Sequence, residues 1–141
     1  MLDLNSNYMK KGTSLIISSI ISGIIIFQSA LIAPAINELL SVNEASVFLR
    51  YIWPKFFVAI GALAFVSCIS LFPHRKVGLP SYVAVITLAL MIGCFVLTPV
   101  INNAKDASNE GLWSALHVTT VLMTLGVLIL NVWNLVHLSR K

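Results

Sequence analysis

Four apolar stretches, residues 14–33, 51–72, 82–100 and 112–135, constrain this chain more than any other feature of it. Each is long enough to cross a hydrocarbon core of roughly 30 Å, for which about 20 apolar residues suffice. In lipid every backbone N–H and C=O must find its partner within the segment, so all four are expected as α-helices. Only 10% of the 141 residues are charged and 58% are hydrophobic, against about 25% and roughly 45–50% in soluble domains. Too few charges remain to coat a water-facing surface. The expectation is an all-α protein, a four-helix transmembrane bundle forming one integral membrane domain over residues 1–141.

Local chemistry marks the ends of the helices. Pro73 should stop the second span, and Gly78-Leu79-Pro80 gives a tight connection to the third. Pro34 and Pro99 should bend or end the first and third helices, because proline removes a backbone donor and clashes with the preceding turn. Residues 41–50 read as helical, with Asn43 as cap, Glu44 in the first turn, and Val47, Phe48 and Tyr51 as an apolar side. That segment is either a short outer helix before the second span or the outer extension of that span, with Pro54 at the joint. The stretch after Lys10-Lys11 exceeds the roughly 7–15 residues of a signal-peptide core, so it reads as the first span.

An even number of spans puts both termini and the middle connection on one side. That side carries Lys10, Lys11, Arg75, Lys76, Arg140 and Lys141, and the other carries Arg50, Lys55 and Lys105. The positive-inside bias places both termini in the cytoplasm. It also accounts for the net charge of +4 without nucleic acid, for which no basic stripe or aromatic platform is present.

Pro34-Ala35-Ile36-Asn37 recurs as Pro99-Val100-Ile101-Asn102, and with one inserted residue Asn43-Glu44 falls on Asn109-Glu110. Either one helical hairpin has been duplicated, in a parallel repeat about an axis along the membrane normal, or each hairpin acquired the same helix-ending residues independently.

Polar residues inside a bilayer cost roughly 2.5–3.5 kcal/mol for a central charge, turn inward and mark candidate sites. Here they gather in the outer half: Gln28, Arg50, Lys55, Thr98, Asn102, Ser114, His117 and Thr120. On the fourth span Glu110, Ser114, His117, Thr120 or Thr124, and Asn131 recur at helical spacings and are expected to share an inward face. Such a seam either lines a ligand or only holds helices together by hydrogen bonds. Ser18-x-x-x-Ser22 and Ser19-x-x-x-Gly23 read as packing surfaces.

Gln28, Asn37, Arg50, Asn102 and His117 are the ligand-binding candidates, with Lys55, Glu110, Ser114 and Thr120 as secondary ones. Arg50 would attract an anionic group while the amides and His117 orient it. Haem at His117 is disfavoured, because His74 and His137 belong to the opposite side and leave no second imidazole at its depth. Cys68 and Cys94 differ in depth by roughly 10 Å, too far for a disulfide, so both are expected as buried thiols. No Cys/His metal spacing, phosphate loop or nucleophile elbow is present.

The chain resembles bacterial membrane proteins of unknown function related to transmembrane protein 205. The resemblance rests on Gly23-x-x-x-Phe27, Ala33-Pro34, Phe48-Leu49-Arg50, Trp53-Pro54-Lys55-Phe56-Phe57, Pro99-x-Ile101 and Leu116-His117. It implies a bacterial inner-membrane location, although Thr120 and Thr124 stand where that family usually has Ser and Asn. A second resemblance, to anthrone-oxygenase-like four-helix proteins, rests on Asn102 and His117 alone. The expected function is a small ligand-binding or transport-associated membrane protein with an outward-facing polar pocket for an anionic or lipophilic ligand. The alternatives are a membrane oxidoreductase acting on a lipophilic aromatic or quinone-like substrate, and a structural subunit in a homo-oligomer or larger membrane complex.

Overall fold

The structure, a computed structural model, describes residues 2–71 and 78–140, with side chains described from Lys11 onward. All regular elements among these residues are helical: α1 (Leu2–Phe27), a π-helical turn (Gln28–Ile32), α2 (Ala33–Leu39), α3 (Val42–Leu71), α4 (Leu79–Asp106) and α5 (Glu110–Ser139). Four stretches, Lys11–Leu39, Val42–Leu71, Leu79–Asp106 and Glu110–Ser139, are long and apolar enough to cross a membrane. Large apolar side chains such as Ile16, Phe65, Ile92 and Leu122 point away from the bundle. In water that surface would be prohibitive; in lipid it is the ordinary outside of an integral membrane protein. The expected stop at Pro73, together with His74, Arg75, Lys76 and Lys141, lies outside the described residues.

The helices run up and down in a ring, with α1 against α3 and α5, and α4 against α3 and α5. We call the end holding the chain termini the terminal rim and the other the hairpin rim. The middle of the bundle is filled by Ile21 and Ile25 of α1, Ile60 of α3, Met91 and Cys94 of α4, and Val127 of α5. Trp53 covers this core towards the hairpin rim, stacked on Phe57 and edge-on to Phe56. Cys68 and Cys94 are buried free thiols, as expected.

The three internal prolines meet different fates. Pro34 follows the π-helical turn, in which the Ala33 N–H reaches back five residues to the Gln28 carbonyl. Widening the helix there makes room for the proline ring while keeping the chain helical. Pro54 and Pro99 sit inside α3 and α4, and neither ends its helix. Residues 41–50 accordingly take the second expected form, the outer extension of the second span. Their cap is Ser41 rather than Asn43. Its hydroxyl accepts from the Glu44 N–H while the Glu44 carboxylate accepts from the Ser41 N–H, a reciprocal capping box.

The second turn at the hairpin rim is built otherwise. The Asn109 N–H donates to the Ala104 carbonyl and the Ser108 N–H to the Lys105 carbonyl, the double closure of a Schellman motif. Asn109 then caps α5 by accepting from the Leu112 N–H. The echoed residues therefore take different roles: Asn109 is a cap where Asn43 is not, and Pro99 lies within a helix where Pro34 follows a π-helical turn. Ser108 occupies the left-handed position of the motif, at φ 54°, where helices usually place glycine. Ser108→Gly is expected to stabilise the protein by about 0.5–1 kcal/mol, read as a higher midpoint of thermal unfolding in detergent.

Candidate functional site

The residues expected to converge on one outer pocket are distributed over several surfaces. Gln28 is buried at 7% exposure, and its Nε2 has no hydrogen-bond partner among the described residues. Asn37 is exposed on α2, where Ile36 takes the buried side. Asn102 is half-buried near the end of α4. Arg50 makes a two-pronged ion pair with Asp106, at 2.6 Å and 3.0 Å, and clasps the start of α3 to the end of α4.

The inward seam expected on α5 does not form as one line. Thr120 and Asn131 are buried, but Glu110, Ser114 and His117 are exposed. At 3.6 residues per turn Glu110, Ser114 and His117 lie within an arc of about 60°, and the buried set around Val127 is centred about 95° away. His117 stacks on Trp113 with ring centroids 5.5 Å apart. The Lys105 ammonium lies 4.4 Å from the Trp113 ring and bonds the Glu110 carboxylate at 2.8 Å. These side chains form an interfacial cluster of an aromatic belt, facing outward. Thr98 and Thr120 are buried, and each donates to a carbonyl of its own helix, those of Cys94 and His117.

Two arrangements do assemble. At the hairpin rim, Pro54, Lys55, Val58 and Ala59 of α3 and Phe95 of α4 line an open, almost wholly apolar groove of about 310 Å³. Proline cannot supply the N–H for the Arg50 carbonyl, and the small Ala59 leaves the floor low. Lys55 stands at the mouth, its ammonium 3.1 Å from the Tyr51 ring centroid and donating to the Tyr51 carbonyl. An ammonium carries three donors; with one on the Tyr51 carbonyl and one face turned to the Tyr51 ring, one remains for another partner. Of the three cations at this rim, Arg50 is paired with Asp106 and Lys105 with Glu110; Lys55 is in no ion pair among the described residues.

The second arrangement lies towards the terminal rim; the sequence pointed to its Asn131, as part of the α5 seam, and to its Ser18, as a packing residue, but not to Asn134, Ser14 or Thr87. The Asn134 Nδ2 donates to the Ser14 and Ser18 hydroxyls of α1, at 3.1 Å and 3.0 Å. The Asn131 Nδ2 donates to the Thr87 hydroxyl of α4 at 3.0 Å. Asn134 follows Asn131 by three residues and so shares its face; that spacing was the available signal. Such interhelical bonds average about 0.6 kcal/mol in membrane bundles, so their value lies in fixing rotation and register.

The model of a family described as "Domain of unknown function (DUF4149)" matches residues 16–110. The chain belongs to the DUF4149 family. In this DUF4149 protein the matched region runs from within α1 to the first residue of α5, so it contains the Lys55 groove and excludes His117, Asn131 and Asn134. No curated protein and no solved structure matches the chain. The family description assigns no activity, is consistent with the four membrane-length helices, and names neither transmembrane protein 205 nor an anthrone oxygenase.

Proposed function

We propose that this protein binds a membrane amphiphile at its hairpin rim, with an acyl chain in the groove between α3 and α4 and an anionic head at Lys55. The observation that carries the reading is an ammonium in no ion pair among the described residues, beside an apolar groove of about 310 Å³. The charge sits near the interfacial residue Tyr51, and the apolar walls run about one further helical turn into the hydrocarbon through Val58 and Ala59. That is the order in which a phospholipid presents its phosphate and its tail. The ligand-binding role expected from sequence is thus assigned to the outside of the bundle, and the cationic part given there to Arg50 passes to Lys55, because Arg50 is held by Asp106. With both termini cytoplasmic, as the basic residues favour, the lipid comes from the outer leaflet.

Native mass spectrometry of the protein from mixed phosphatidylglycerol and phosphatidylcholine provides the test. A single interfacial cation contributes about 1 kcal/mol towards an anionic surface. Lys55→Ala should therefore lower the preference for phosphatidylglycerol about fivefold and leave phosphatidylcholine retention unchanged. Ala59→Leu, which raises the groove floor, should weaken both lipids alike. An undiminished preference in the Lys55 variant would refute the proposal.

A further inference from the structure

At the terminal rim, Asn134 presents an imbalance that its own neighbours cannot repair. The residue is 1% exposed. Both of its amide protons are used on Ser14 and Ser18, and its Oδ1 is buried without a partner among the described residues. A buried acceptor left unsatisfied loses the hydration it had in water and gains nothing in return. Exchanging the amide N and O does not help. The oxygen would then accept from the two serine hydroxyls, but the NH₂ group would occupy the unpartnered position with two protons to place. Whatever completes this site must accommodate either end of an amide.

Asn134 lines a cavity of about 10 Å³ that is bounded also by Ser14, Ser18, Ser67, Thr87 and Asn131. The volume is close to the minimum of about 10–15 Å³ for one water, and a buried water needs two to four polar partners. These side chains come from α1, α3, α4 and α5, so all four walls of the bundle contribute. Among the described residues the polar part of the lining is hydroxyls and amides, with no carboxylate, and the rest is apolar. A cation would lie there with its charge uncompensated, whereas water can donate or accept without charge.

We infer that this cavity is a binding site for a single ordered water molecule, which donates to Asn134 Oδ1 and bridges α5 to the polar side chains of the other three helices. The water completes a neutral polar node beside the apolar core, so the terminal half of the bundle is keyed by hydrogen bonds and the middle by packing.

The test is carried out on the full chain in lipid nanodiscs with ¹⁵N-labelled asparagine, the Asn134 side-chain resonance being assigned by its loss in Asn134→Leu. Magnetisation transfer from long-lived water to the Asn134 NH₂ is expected in the unsubstituted protein; its absence from a resolved resonance overturns the inference. Ala84→Leu, which projects into the same cavity, is expected to abolish the transfer while helical circular dichroism is retained. Persistence of the transfer in that folded variant places the water elsewhere and also overturns the inference. If the variant does not fold, the unsubstituted protein decides. Replacing sodium chloride by choline chloride is expected to leave the Asn134 resonance unmoved, and a sodium-dependent shift would establish a cation site in place of a water site.

Discussion

Lys55→Glu is expected to reduce the preference for phosphatidylglycerol over phosphatidylcholine about thirtyfold. The substitution removes one positive charge and adds one negative charge at the mouth of the groove, two changes of about 1 kcal/mol each near a lipid surface. Neighbouring cations do not compensate, because Arg50 and Lys105 are held by Asp106 and Glu110 at 2.6 Å and 2.8 Å. The fold should tolerate the change. Lys55 is exposed, and its contact with the Tyr51 ring is of the kind worth about 0.5–1 kcal/mol at exposed sites. The measurement is the ratio of the two retained lipids by native mass spectrometry. A ratio equal to that of the unsubstituted protein would remove Lys55 from any lipid site.

The largest loss of stability is expected from Ile60→Ala, at about 2 kcal/mol. Ile60 is 0% exposed and lies in the core with Ile21, Ile25, Met91 and Val127. In a soluble protein the truncation would forfeit transfer free energy and leave a cavity, together about 2–5 kcal/mol. Lipid is as apolar as the core, so the transfer contribution largely vanishes and lost packing contacts remain. The value therefore falls at the low end of that range. Ile20→Ala is the control: Ile20 is 44% exposed towards lipid, and its truncation should cost less than about 0.5 kcal/mol. Equal losses for the two variants, measured by reversible unfolding in mixed micelles, would show that the four helices do not pack around Ile60.

Several structural features were legible residue by residue, and others were not. The helical nature of residues 41–50 followed from their spacing and polar start, although the cap is Ser41 through a Ser-x-x-Glu pair rather than Asn43. The burial of Gln28 followed from the cost of an amide in lipid. The π-helical turn did not follow, because Pro34 is compatible with a bend, a stop or a widened turn. On α5 the polar residues were visible, but the direction each one faces was not. Spacings of three and four residues tolerate an angular drift of tens of degrees per turn, enough to carry His117 outward while Asn131 stays inside.

The sequence by itself determined four membrane-crossing helices, because length, apolarity and the need to pair every backbone group in lipid leave no other secondary structure. Only the tertiary structure decided which face of each helix turns inward, and hence that Lys55 lies beside an external groove and Asn134 lines an internal cavity, while Gln28 is buried and His117 exposed. The physical reason is that lipid and protein interior are nearly equivalent solvents for Leu, Ile and Val. A membrane helix therefore carries little periodic signal of its orientation, and Ser18 faces in while its neighbour Ser19 faces out only because the other helices pack that way.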